Sequence, residues 1–241
     1  MIRVLRSIPV AQLKLLVFDL DGTLIDSAQD LCNSVNAALT EFGLGPLPDP
    51  TIAGFVGNGA PLLIRRALAL ASKIPIEQVG EDLFKNAYAF FLQYYREHKL
   101  DFTYAYEGVL DALKALDQLH QAPGNPARAM AVLTNKPVRM TRSIVDGLGI
   151  RGHFFQVYGG NSFEQKKPHP MGVEALMREA GVERAATMMV GDSSVDVLTA
   201  RNAGIFCCGV TYGFQPETLA DPAPDLLVDR MEQVADWLLQ P

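Results

Sequence analysis

The stretch VFDLDGTLIDS, Val17 to Ser27, passes from apolar residues straight into three acids, Asp19, Asp21 and Asp26. An unpaired carboxylate is costly to desolvate, so acids placed there are a solvated turn, a helix cap, or charge held for chemistry. Three further polar clusters follow: Thr134-Asn135-Lys136, then KKPHP around Lys167, then GDSSVD with Asp192 and Asp196. Asp19 and Asp21 are two apart and can project to the same side as the chain turns at Gly22. Thr134 and Asn135 offer hydrogen bonds, and Lys136 and Lys167 offer cations. The four clusters together would suit one phosphate site. Taken singly, each has an ordinary reading. Asp-Gly and Asp-Ser are common turn dipeptides, and Asp192 or Ser193 can cap a helix beginning near Val195. TNK can be a plain strand exit and KKPHP a surface loop.

Short apolar runs with turn signals at their ends would position these residues: LKLLVF (13–18), AMAVLT (129–134), FQVYGG (155–160), TMMVGD (187–192), FCCGV (206–210) and DLLV (225–228). Unalternated runs of this length fit strands buried on both faces. Helical patterns over 108–120, 138–148, 170–180 and 195–203 lie between them, which predicts an α/β fold with a parallel sheet and helices on both sides. In such sheets ligands bind beyond the carboxyl ends of the strands, where the four clusters fall.

Residues 27–104 read differently, with at least three helical stretches and no convincing buried strand. The clearest spans 77–98, where Val79, Leu83, Ala87, Phe90, Phe91 and Tyr94 recur at steps of three and four as one packing stripe. FGLGPLPDP (42–50) is a Gly/Pro-rich connection between helices.

Composition narrows the function classes. The 241 residues allow one large domain or a domain with an insertion, and 49% hydrophobic content suits a packed core. A net charge of -6 and the lack of a basic stripe argue against a nucleic-acid partner. The three cysteines, Cys32, Cys207 and Cys208, do not suggest a disulfide framework and point to a reducing compartment. No run reaches the roughly 18 apolar residues of a membrane span, and no signal peptide is read near the start. The expectation is a soluble cytoplasmic protein, monomer or homodimer, without a membrane partner.

The ordered set resembles the four motifs of the haloacid dehalogenase-like superfamily, DxDGT, T/S, K and GDxxxD, over the whole chain. The resemblance implies a Rossmann-like, doubly wound parallel core (1–26 and 104–241) with a helical cap (27–103) inserted after the first strand. It implies that Asp19 attacks phosphorus to form an aspartyl-phosphate. Asp21 then protonates the leaving oxygen and later activates water. Mg²⁺ would be held by Asp19, the backbone carbonyl of Asp21, and Asp192. Asp196 would support Lys167 or a water on the metal rather than bind metal itself. Thr134, Asn135 and Lys167 would hold the phosphoryl oxygens. Dehalogenases of the superfamily lack the second aspartate and ion-pumping ATPases carry threonine there, so Asp21 favours a phosphatase. Phosphoglucomutase-like members share it.

Within the cap, GFVGNGAPLLIRRAL (54–68) holds Gly57, Asn58, Gly59 and Ala60 ahead of a helix carrying Arg65 and Arg66. The glycines permit a tight turn, and the helix start could meet an anion; equally, this is a glycine-terminated helix junction. With KPHP and ARNAG (200–204) beside it, the stretch resembles phosphoglycolate phosphatases, whose substrate is a small phosphate ester carrying a carboxylate. Arg66 would assist in receiving that carboxylate. Sugar phosphates and pyrophosphate are the alternative substrates within the fold, and a noncatalytic binding protein is the alternative outside catalysis.

The remaining polar and aromatic residues read as structural. His98, His120 and His153 have no metal-ligand spacing, and His169 is a loop residue. Cys207 and Cys208 are small core residues, Trp237 anchors a C-terminal helix, and Asp26 is a turn or cap residue.

Overall fold

A computed structural model describes residues 1–121 and 129–239, with backbone alone for 119–121. The chain divides into two compact units, Met1–Ile25 with Ala105–Pro241, and Asp26–Tyr104.

The first unit contains strands β1 (Arg3–Val4) and β2 (Leu15–Phe18); β3 (Ile25–Asp26) stands at its boundary. In the second unit come α1 (Ala28–Glu41), α2 (Asp49–Ala53), α3 (Ala60–Ser72) and α4 (Glu81–His98), before β4 (Tyr104–Ala105). The first unit resumes with α5 (Val109–Gln121), β5 (Ala129–Leu133), α6 (Val138–Gly147) and β6 (Gln156–Tyr158). It finishes with α7 (Met171–Ala180), β7 (Thr187–Gly191), α8 (Ser194–Ala203), β8 (Phe206–Val210), β9 (Leu226–Val228) and α9 (Glu232–Leu239).

The seven-stranded sheet has the order β1-β9-β8-β7-β2-β5-β6, parallel except at β1. From β2 the chain steps outward through β5 to β6, then returns to the other side of β2 and continues through β7, β8 and β9. The order therefore reverses between β2 and β7, the place where open sheets of this kind bind ligands. Leu15, Leu16, Val17 and Phe18 are all fully buried, because β2 is central and covered on both faces. Leu15 and Val17 join Ala131, Met189 and Cys207 in a core closed by α7 and α8 through Val173, Leu176, Val197 and Ala200. The alternate residue Phe18 meets Phe154 edge to face at 6.2 Å.

The expected parallel sheet carries one addition, the antiparallel edge strand β1. Two residues leave no periodic signal; Arg3 and Val4 become a strand by pairing with Leu227 and Leu226. Trp237 and both Cys207 and Cys208 are buried as core residues.

In the second unit α1 packs on α2, α3 and α4. The helix expected over 77–98 begins at Glu81, after a separate turn at Ile76–Gln78, with Gly80 as its cap and Glu81 and Asp82 favouring its amino end. Its buried residues are Ala87, Phe91 and Tyr95. Tyr94, expected in the stripe, is half-buried and stacks on His98 instead. Buried Asp30, in the first turn of α1, accepts the N–H groups of Phe102 (3.0 Å) and Thr103 (2.9 Å) and the Thr103 hydroxyl (2.7 Å). Asp26 accepts the Ala28 N–H at 3.0 Å, a turn role.

Candidate active site

All the core clusters converge at the carboxyl ends of β2, β5 and β7. Strand register sets this up: Phe18 lies opposite Val132 on one side and Val190 on the other, so the next residues of each strand leave the sheet together. Asp19 is the first residue beyond β2, held by its N–H to the Val190 carbonyl at 2.9 Å, while its Oδ1 accepts the Leu20 N–H at 2.7 Å. Lys167 Nζ stands 2.9 Å from that same Oδ1 and 2.6 Å from Asp196 Oδ1. The loop carrying Lys167 is tied to the end of β5 by Asn135, whose Nδ2 donates to the Lys167 carbonyl at 3.0 Å. Thr134, buried beside it, donates its N–H to the Tyr158 carbonyl at 3.1 Å.

Asp192 leaves β7 in the same way, and its Oδ2 accepts the Phe214 N–H at 2.7 Å. Ser193 and Asp196 form a capping box at the start of α8, Asp196 Oδ2 taking the Ser193 N–H and hydroxyl at 3.2 and 2.9 Å. Asp196 thus uses one oxygen on the helix and the other on Lys167. Carboxylate oxygens of Asp19, Asp192 and Asp196 lie within 4.8 Å of one another and could hold a metal ion. Because Asp196 already has donors on both oxygens, Asp19 and Asp192 are the better pair for a cation.

Backbone without Cβ lets the acids come this close. Gly22 has φ +81, and a Cβ there would lie 2.2 Å from Asp192 Oδ2. One at Gly213 would lie 2.3 Å from both Asp192 Cβ and the Gly22 carbonyl oxygen.

The electrostatics are those of a site short of positive charge. Burial pushes the Asp19 carboxyl up to about 6, against the pull of Lys167, and the charge of Asp196 adds to the rise. Burial, then the charges of Asp196 and Asp19, hold Asp192 well above the ordinary carboxylate range. Burial alone would lower the Lys167 ammonium, but Asp19 and Asp196 outweigh it and hold it above its usual value. Four carboxyl groups (Asp19, Asp21, Asp192, Asp196) are gathered here against two lysines (Lys136, Lys167), so the acids outnumber the cations by 4 - 2 = 2. A hard divalent cation matches both that deficit and an all-oxygen donor set, so the residues present fit one.

Two features escaped sequence reading. Lys136 Nζ bonds both oxygens of Asp21, at 2.9 and 3.1 Å. The turn after β8 supplies Gly213 and Phe214 to Asp192; its only signal is a glycine just past a strand end, in TYGF, as in DGT.

The expected selectivity residues belong to the second unit. Gly57 (φ 102), Asn58 and Gly59 (φ 90) lead into α3 at Ala60, and the Gly59 carbonyl accepts the Leu62 and Leu63 N–H groups. Arg65 pairs with Glu81 and lies over the Phe84 ring, whereas Arg66 lies over Phe55 with its guanidinium carbon 6.0 Å from the ring centre. Among the histidines, His98 pairs with Asp101, His153 with Asp117, and His169 Nδ1 accepts the Met171 N–H. The His120 side chain lies outside the described residues.

The family model described as haloacid dehalogenase-like hydrolase matches residues 16–210. The chain is 37% identical to a protein named phosphoglycolate phosphatase 1 from Pseudomonas aeruginosa over 223 residues, 92% of this chain and 78% of that one. It is 36% identical to the phosphoglycolate phosphatase of Vibrio vulnificus over 231 residues, 95% and 97% of the two chains. Its structure is similar to the crystal structure of a predicted phosphoglycolate phosphatase from Haemophilus somnus, with a TM-score of 0.86, 33% identity, and coverage of 94% of this chain and 98% of that one.

Proposed function

Because the chain belongs to the haloacid dehalogenase-like hydrolase family, we propose that it is a Mg²⁺-dependent phosphatase that hydrolyses 2-phosphoglycolate to glycolate and phosphate. The observation that carries this reading is the carboxylate of Asp19 at the end of the central strand, 2.9 Å from Lys167 and gathered with Asp192 at the switch point of the sheet. The names of relatives that align over nearly the whole chain support the choice of substrate.

In this reading an Asp19 oxygen bonds to phosphorus as the ester P–O bond breaks, and the electron pair of that bond stays on the departing oxygen. Asp21 gives that oxygen a proton and then takes one from the water that splits the aspartyl-phosphate. Thr134, Asn135 and Lys167 bind the phosphoryl oxygens, Lys167 being positioned by Asp196. Asp19, Asp192 and the carbonyl of Asp21 would hold Mg²⁺, which supplies positive charge against the phosphoryl group and the crowded acids.

The second unit serves as the cap that selects substrate. The backbone of Gly57, Asn58, Gly59 and Ala60 and the guanidinium of Arg66 receive the substrate's carboxylate, since Arg65 is engaged by Glu81 and Phe84. The enzyme works in the cytoplasm as a monomer or homodimer, on small esters rather than nucleic acid. A phosphate-release screen with phosphoglycolate, sugar phosphates and pyrophosphate, with and without chelator, tests the whole reading. Phosphoglycolate should be preferred and chelator should abolish turnover. A preference for a sugar phosphate or pyrophosphate would move the substrate, and full activity in chelator would remove the metal.

A further inference from the structure

Lys136 has no part in the reaction just described, yet it is one of the two buried lysines at the strand ends. Its backbone is fixed from three directions. The Lys136 N–H donates to Thr134 Oγ1 at 3.3 Å, and its carbonyl accepts the Gly160 N–H at 2.9 Å and the Thr141 hydroxyl at 3.4 Å. Gly159 packs so closely that a Cβ there would lie 2.5 Å from the Lys136 carbonyl oxygen. From this anchored loop the side chain, 4% exposed, reaches across 115 positions of sequence to bond both oxygens of Asp21, itself only 11% exposed. Ammonium bonded to both oxygens restricts how the carboxyl group can turn. A buried ion pair adds little net stability over apolar residues of the same size, so its worth here lies in geometry rather than in holding the fold.

We infer that Lys136 is the positioning residue of Asp21, and that through Asp21 it sets how well the enzyme cleaves esters with poor leaving groups. The inference rests on Asp21 acting as general acid. When the P–O bond breaks, the proton on one Asp21 oxygen passes to the ester oxygen, which keeps the bonding pair, and Asp21 is left as a carboxylate. Lys136, bonded to both oxygens, fixes the plane of the group from which that proton leaves and stabilises the carboxylate left behind. An aryl phosphate, whose leaving group is stable as an anion, needs this proton far less than an alkyl phosphate does.

The test is a series of carboxylate-free phosphate esters, from p-nitrophenyl through phenyl to ethyl phosphate, with kcat/KM measured for wild type, Lys136→Met, Lys136→Arg and Asp21→Asn. The parameter kcat/KM reports steps up to the phosphoenzyme, so the later water attack does not enter. Lys136→Met should lose about 10- to 100-fold on ethyl phosphate and several-fold less on p-nitrophenyl phosphate, so that the rate depends more steeply on the leaving group. Lys136→Arg should recover part of the loss, and in the Asp21→Asn background Lys136→Met should add less than about threefold. Should Lys136→Met not fold, Lys136→Gln, which still offers an N–H to Asp21 without the charge, carries the same comparison. Equal losses across the series, or none, would overturn the lysine's role. So would a loss confined to phosphoglycolate with ethyl phosphate spared, which would make Lys136 a carboxylate-binding residue instead. A leaving-group series left flat by Asp21→Asn itself would remove the general acid, a different failure from a flat series in the lysine variants alone.

Discussion

Two buried acids in this molecule live under opposite conditions. Asp30 of the helical unit, 1% exposed, receives three donors from Phe102 and Thr103. Asp19 and Asp192 of the α/β unit are as deeply placed, but each faces the other and Asp196, and burial raises both toward the protonated form. The first arrangement satisfies a charge locally and ties the start of α1 to the segment that ends the insert. The second leaves the acids under-compensated, which suits the cation and phosphoryl site proposed above. Burial of an acid is therefore not the mark of function; the balance of its partners is.

The largest effect that could break this contrast comes from Asp19→Asn. Turnover should fall by at least about 10⁴-fold, with no phosphoenzyme trapped on acid quench, because the proposed nucleophile is gone. Its Tm should hold or rise, because one of the mutually repelling charges is removed; a large loss of stability would show Asp19 to be structural like Asp30. Asp30→Ala should do the reverse, costing about 3 kcal/mol in urea unfolding because buried donors lose a charged acceptor. A cost below about 0.5 kcal/mol would put Asp30 outside the class assigned to it.

Smaller effects sharpen the picture. Gly213→Ala places a Cβ against Asp192 without a left-handed φ to complicate the result, and should weaken Mg²⁺ binding about 10- to 100-fold by calorimetry. Unchanged affinity would mean that Asp192 is not where the cation binds. The smallest effect is a pH dependence of metal stabilisation. The folded-state value of Asp19 is raised from 3.8 to about 6, so the stability it contributes without metal is present below about 4 and is lost as pH rises through about 6. Mg²⁺ needs the ionised form, so the Tm increment it produces should be larger at pH 7.5 than at pH 5. An increment that shrinks with rising pH would contradict the assignment of Asp19 as a ligand.

The acids at the strand ends were legible because the signal is local: an apolar run, then DxDGT or GDxxxD, within ten residues. The helical insert was legible from the period of its apolar residues. What could not be read is what depends on distant segments meeting. Lys136 and Asp21 are 115 positions apart, and Asp30 and Thr103 are 73 apart, and nothing in the local sequence of either segment announces which distant residue it will meet. Strand β1 was missed for the same reason, since two residues become a strand only through the neighbour they find. Tyr95 in place of Tyr94 is a subtler miss. One position of phase on α4 depends on where the helix begins, and the start moved from Glu77 to Glu81.

Asp196 carries a consequence for how such a site can change over time. One of its oxygens closes the first turn of α8 and the other holds Lys167. A chain in which that turn has not formed lacks one of the two carboxylates that hold Lys167, so in the proposed mechanism catalytic competence also reports correct folding of α8. The same economy narrows the routes open to mutation. Any replacement at this position must satisfy a builder and a chemist at once, and a residue with two masters drifts less freely than either duty alone would allow.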